Sequence, residues 1–172
     1  MPYDPCVSEP IFRSAQPSDA AAVARLARLA FRPGTLPGWT EAAVARLLEQ
    51  NSERSLGEYL ETGAFAEICL VRGAIAGFVT CKYPRLISLL VVDPEFQRRG
   101  VGSSLVQRAL ANVSSAAPEI SVVEVNATEY SLPFYRSRGF YPLSELIDFE
   151  GCRFARLGYW RKNPLLLPIE AR

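Results

Sequence analysis

The sequence predicts an α/β domain, a mixed β-sheet with flanking helices, and three features lead there. Three β-branched and aromatic runs follow one another at 64–71, 74–83 and 85–92, as an antiparallel meander requires. A fourth run, "ISVVEVNA" at 120–127, is separated from the third by an apolar stripe at helical spacing, so the two can lie parallel across a helical crossover. A strand followed by a helix opens the chain and a hairpin closes it, which brings the sheet to about seven strands.

Each element has a local reason. "IFRSA" (11–15) is a short strand; Ser18 is placed to cap the helix that follows, with Asp19 in its first turn and Val23, Leu26, Ala27, Ala30 and Phe31 on one face. "RPGTLPGW" (32–39) carries two prolines and two glycines and is a loop. Val44, Leu47 and Leu48, then Leu56, Tyr59 and Leu60, mark two shorter amphipathic helices that part near "QNS". "RG" turns the first meander strand into the second, and Pro84 precedes the third. From Val101 the stripe Leu105, Val106, Ala109, Leu110, Val113 forms the crossover helix, which ends before "SSAAPE". A short helix spans 132–139 with Gly139 at its end, and "FYPLSELIDF" and "RFARLGYW", divided by "EGC", are the arms of the closing hairpin. No repeat or linker interrupts this order, so residues 1–172 read as a single domain.

Composition narrows the function. Nineteen basic and eighteen acidic side chains leave a formal charge of +1, so no global field recruits nucleic acid or an anionic membrane. Cys6, Cys69, Cys81 and Cys152 are scattered and histidine is absent, which argues against a metal site and removes imidazole bases; the thiols are expected free and mostly buried. "MPYDPCVSEP" has no secretory pattern and no apolar run nears the ~20 residues of a membrane span, so a cytoplasmic location is expected.

The candidate site is "EFQRRGVGSSL" (95–105). As a plain strand-to-helix turn, its glycines relieve backbone strain, Ser103 caps, and Arg98 and Arg99 are solvated. Its position directly after a buried strand, opening a helix, also suits an anion cradle of outward-facing backbone N–H groups. A P-loop would need a further Lys and a dinucleotide fingerprint a third glycine where Leu105 stands. The stretch resembles the [QR]-x-x-G-x-[GA] motif of the GNAT superfamily of acyl-CoA N-acyltransferases, matched by Gln97, Gly100 and Gly102 after "VVDPEFQ". "VNATEYSLPFYRSRGF" (125–140) is similar to the family's next strand and helix, and "FRSAQPSDAAAVARLA" to its N-terminal strand and helix.

The resemblance implies the GNAT fold, with the parallel pair splayed at the coenzyme site and acetyl-CoA as co-substrate. By that implication Gln97, Arg98, Arg99, Gly100, Val101, Gly102 and Ser103 surround the pyrophosphate. The backbone of Leu90, Val91 and Val92 meets the pantetheine, with the Leu90 N–H on the thioester carbonyl. Thr128 stands where many relatives carry Asn. Tyr135 is the general acid toward the departing thiolate, a nearly balanced transfer between a phenol near ~10 and a thiol near ~8.5. Residues 86–92 contain no acid, only Ser88, so the base is left among Ser88 through water, Glu67, Glu124, or an amine that arrives neutral. The acceptor would lie between "RPGTLPGWT" and "SELIDFEGC", walled by Trp39 and Phe149; Glu41, Glu145, Asp148 and Glu150 suit a cationic amine but equally a solvated surface. The implied function is N-acetylation of a primary amine of a small molecule, amino acid or peptide, a homodimer being compatible with it. The alternative is a non-catalytic acyl-CoA sensor.

Overall fold

The computed structural model describes residues 9–31, 36–82 and 85–161; Cys6, most of the opening decapeptide, residues 32–35 of the proposed acceptor loop and Pro84 lie outside them. The strands are β1 (Ile11–Ser14), β2 (Ala66–Val71), β3 (Ala74–Lys82), β4 (Leu86–Val92), β5 (Val122–Thr128), β6 (Tyr141–Pro142), β7 (Ile147–Phe149) and β8 (Cys152–Trp160). The helices are α1 (Ala20–Ala30), α2 (Glu41–Gln50), α3 (Glu53–Glu61), α4 (Val101–Ala116) and α5 (Leu132–Arg136). One eight-stranded sheet runs β1-β2-β3-β4-β5-β8-β6, with β7 also on β8, and β4–β5 is its parallel pair.

Two expectations need correcting. Ser18 does not cap the first helix: Pro17–Asp19 form a 3-10 turn ahead of α1. The Asp19 carboxylate instead accepts the Gln16 N–H at 2.7 Å and the Arg13 guanidinium at 2.8 and 2.9 Å, and Arg13 chiefly holds it below the usual carboxylate range. The first arm of the closing hairpin is broken in two, giving eight strands where about seven are expected. After β6 the chain leaves the ladder and Ser144 Oγ takes the Arg156 N–H at 3.0 Å, before β7 rejoins β8.

Elsewhere the local chemistry holds. Thr40 and Ser52 cap α2 and α3 by accepting the N–H groups of Ala43 and Ser55. Arg72 and Gly73, both at positive φ, make the tight β2–β3 turn. Leu105, Val106, Ala109 and Val113 of α4 bury against Val79, Ile87, Val123, Val125 and Leu157 on one face of the sheet. Val23 and Leu26 of α1, with Leu56 and Leu60 of α3, cover Ile68, Phe78, Leu89 and Val91 on the other. A Cβ at Gly77 would meet Leu105 and Val101 at 2.9 Å, so the missing side chain on β3 is what lets the start of α4 sit against the sheet. Cys69 and Cys81 are buried and Cys152 half-buried, all three free. No helix among the described residues is long and apolar enough to cross a membrane.

Candidate active site

The site begins with a slip in register. Thr80 pairs with Leu89 but Cys81 with Ile87, so Ser88 is an extra residue on β4. Such a bulge bends its strand and sharpens the twist. On its other side β4 meets β5 only at Leu86↔Glu124 and Ile87↔Val125, and from Ser88 onward the two strands share no rung, leaving a V between them. The bulge also rephases the side chains: Ile87, Leu90 and Val92 join the α4 face while Leu89 and Val91 join the α1 face. Because the Asp93 N–H donates to the Ala76 carbonyl at 2.9 Å, antiparallel alternation gives Val91 its bonds from β3 and turns the N–H groups of Leu90 and Val92 into the V. Consistent with that phase, the Val92 carbonyl is free to accept from Gln97 Nε2 at 3.2 Å.

The V leads to the N-terminus of α4. Arg98 (φ 62°) and Gly100 (φ 88°) turn the chain through left-handed conformations, and no side chain caps the helix that starts at Val101. Ser104 makes the first helical bond, to the Gly100 carbonyl at 3.0 Å, so the N–H groups of Val101, Gly102 and Ser103 have no partner among the described residues. A Cβ at Gly102 would lie 3.3 Å from the Phe134 ring and 3.4 Å from Val92 Cγ2, so Phe134 and Val92 pack close against a residue without a side chain. Three orphan donors at the positive end of a helix, with no carboxylate among them, fit a diphosphate.

The flanking side chains divide. Arg98 and Arg99 are exposed, and Arg99 rests over the Phe96 ring at 5.8 Å. Ser103 does not cap α4; its hydroxyl accepts from Arg138 Nε at 3.0 Å and from a terminal nitrogen of the same guanidinium. Arg138 is absent from the sequence-based site: in "FYRSRGF" two arginines flank Ser137, and nothing in the string says which one reaches α4. Thr128 Oγ1 donates to Ser131 Oγ at 3.1 Å, and Ser131 Oγ donates back to the Thr128 carbonyl at 3.0 Å, so this hydroxyl is folded onto its own turn.

Tyr135 is 5% exposed and sits edge-on to Phe134 and Phe140, at centroid distances of 5.0 and 5.2 Å. Gly139 (φ 82°) ends α5 and lets the Phe140 N–H reach back to the Tyr135 carbonyl at 3.2 Å, which seats the aromatic group. The Tyr135 hydroxyl has no partner among the described residues, yet none of their side-chain oxygens is sealed off without one, so this hydroxyl keeps an opening. Burial raises its pKa, with Cys81 adding to the shift and Arg138 opposing it, so the phenol holds its proton more tightly than the near-balance with a thiol expected from the sequence. Burial also pushes Cys81 up to about 12 and raises Tyr59, whose hydroxyl donates to the Cys81 carbonyl at 2.7 Å.

These shifts give a pH prediction. Groups whose folded pKa is raised stabilise the fold fully below their unfolded pKa and lose that contribution as pH rises. Stability should therefore hold to about pH 9, then fall by up to about 1.4 kcal/mol per pH unit for each group as the Cys81 thiol, and the buried Cys69 thiol that is also raised, ionise preferentially in the unfolded chain, with the tyrosines joining near ~10. Urea midpoints at pH ~8, ~9.5 and ~11 check it; Cys81→Ala should flatten the first part of the decline, and a level profile would contradict it.

The acids proposed as bases are all engaged. Glu67 meets Arg108 at 3.2 Å, and Glu124 lies between Arg156 at 2.7 Å and Arg85 at 3.4 Å. Ser88 Oγ is 2.6 Å from Thr80 Oγ1. The two proposed acceptor walls are brought together: Trp39 Nε1 donates to the Arg153 carbonyl at 2.8 Å, the Thr40 N–H to the Gly151 carbonyl at 3.0 Å, and Arg46 to the Glu150 carbonyl at 2.6 Å. Trp39 is thereby a strut between walls, whereas Phe149 is 61% exposed; Glu41, Glu145, Asp148 and Glu150 are solvated.

The sequence matches the family described as "Acetyltransferase (GNAT) domain" over residues 35–158. No curated protein matches it. Among solved structures it is similar to the GCN5-related N-acetyltransferase of Rhodopseudomonas palustris, with 22% identity and a TM-score of 0.75 over 92% of this chain and 99% of that one. It is also similar to the PaiA N-acetyltransferase of Thermoplasma acidophilum, solved in complex with coenzyme A, with 14% identity and a TM-score of 0.71 over 89% of this chain and 99% of that one. At these identities the structures establish the fold alone. The family match, running from the loop before α2 into β8, spans the bulge, the V and the uncapped helix together, and the chain belongs to the GNAT acetyltransferase family.

Proposed function

We propose that this chain is an acetyl-CoA-dependent N-acetyltransferase acting on a primary amine of a small molecule, amino acid or peptide by direct attack on the thioester. The observation that carries the reading is continuity: the V opened by the Ser88 bulge runs into the unpartnered amides of Val101–Ser103. Those amides hold the diphosphate, and the inward N–H groups of Leu90 and Val92 hold the pantetheine arm. The Leu90 N–H points at the thioester carbonyl and stabilises the oxygen as it gains charge. The Tyr135 hydroxyl gives its proton to the departing sulfur. With Glu67, Glu124 and Ser88 engaged, none of the three proposed bases is free, and the amine reaches the thioester already neutral or loses its proton to water.

The same engagement favours a second reading, a non-catalytic acyl-CoA sensor. Thiol release from acetyl-CoA over a panel of amines, amino acids and peptides separates the two, read beside thermal melts. Both readings expect coenzyme A at about 100 times its Kd to add ~2.7 kcal/mol of stability. Turnover with any acceptor selects the enzyme; a shift with no turnover selects the sensor; no shift at millimolar coenzyme A rejects both.

A further inference from the structure

Arg138 carries a charge that the fold leaves unanswered. It is half-buried, sits over the Phe134 ring with its guanidinium carbon 3.8 Å from the centroid, and burial lowers its pKa. Its hydrogen bonds go to Ser103 Oγ, to the Phe134 carbonyl at 2.8 Å and to Ser137 Oγ at 2.8 Å, all neutral acceptors. Among the described residues no carboxylate forms an ion pair with it, although Arg13, Arg46, Arg54, Arg85, Arg108, Arg153 and Arg156 each have one. Withdrawing a cation from water without a counter-charge is unfavourable, so its place in the fold calls for an anion supplied from outside.

The geometry says where that anion sits. Nε and one terminal nitrogen of Arg138, the two-pronged edge of the guanidinium, converge on the single oxygen of Ser103. That edge is matched to two oxygens of a carboxylate or phosphate, so one hydroxyl under-fills it. Ser103 is the third residue of α4 and owner of one of the three unpartnered amides. Phe134, over which the guanidinium sits, is the ring packed against Gly102. Arg98 and Arg99, the cations nearer in sequence, are exposed.

We propose that Arg138 is a direct ligand of the diphosphate of the acyl-CoA substrate, held in readiness by Ser103 and Phe134. The proposal rests on the reading that the α4 amides take that diphosphate, and the test keeps the two apart. Calorimetry of Arg138→Gln should find affinity for coenzyme A and for dephospho-coenzyme A weakened alike, by about ten- to a hundredfold, the range for lost hydrogen bonds to a charged group. Calorimetric affinity for acetyl-pantetheine, which lacks the diphosphate, should be unchanged, and Arg138→Lys, which keeps the charge and loses the fork, should fall between. Unchanged affinity in Arg138→Gln overturns the proposal. Loss on coenzyme A alone overturns it in favour of the 3′-phosphate, and equal loss on acetyl-pantetheine in favour of a structural role. If Arg138→Gln does not fold, Arg138→Lys decides, since parent-like affinity there excludes the fork. Wild-type protein that binds no coenzyme A rejects the underlying reading itself.

Discussion

Gly102→Asp should fold as the parent does and bind coenzyme A about a thousandfold more weakly. A carboxylate in the first turn of α4 is favourable to the helix, because it answers the positive end of the dipole. The added Cβ meets the edge of the Phe134 ring at 3.3 Å, a contact relieved by a shift of a few tenths of an ångström in that side chain. The diphosphate has no such relief. Two like charges ~4 Å apart near a protein surface repel by ~4 kcal/mol, which is about a thousandfold in Kd. Gly102→Ala separates charge from bulk, since it makes the same contact and should lose far less. Thermal melts of the free variants beside calorimetric titration with coenzyme A are the measurement; parent-like binding by Gly102→Asp, or equal losses in both variants, would refute the assignment of the cradle.

Tyr135→Phe should lower turnover by roughly 10²–10⁴ while leaving fold and coenzyme A binding intact. The ring keeps its edge contacts with Phe134 and Phe140, and the hydroxyl has no partner among the described residues to lose. The loss should fall on kcat rather than KM, because the proton moves only as the carbon–sulfur bond breaks. Burial raises the pKa of this phenol, so it stays protonated across pH ~6–9.5 and should impose no alkaline limb of its own there. A loss of only several-fold would assign the proton to water and leave the hydroxyl a positioning role. Unchanged turnover would remove Tyr135 from the chemistry, and lost coenzyme A binding would make the ring structural.

Much of the fold is legible in the string. The meander and the later strand are written in β-branched and aromatic runs, and the crossover helix in an apolar stripe at helical spacing. The start of α1 is not legible, because a serine in a capping position looks the same whether or not the chain first makes a 3-10 turn. Here an aspartate bonded to Arg13, on the neighbouring strand, decided it. The break in the last hairpin is not legible, because β6 and β7 are short segments whose separation depends on Ser144 taking an N–H from β8, a long-range bond with no local signature.

For the site the division is similar. By itself the sequence determined where a glycine-relieved helix start follows a buried strand, a matter of residue type at fixed spacing, whereas Tyr135 is singled out by what the family resemblance implies. Only the tertiary structure decided that Ser88 is the bulge, that Leu90 and Val92 face the V while Val91 faces β3, and that Trp39 bonds the Arg153 carbonyl between the two proposed acceptor walls. It alone decided that Arg138, and neither Arg98 nor Arg99, reaches Ser103, and that Glu67 and Glu124 are held by arginines from other elements. The physical reason is common to these cases. Backbone phase in a ladder and the partner of a long side chain are set by residues distant in sequence, so their energies enter only when the sheet has closed.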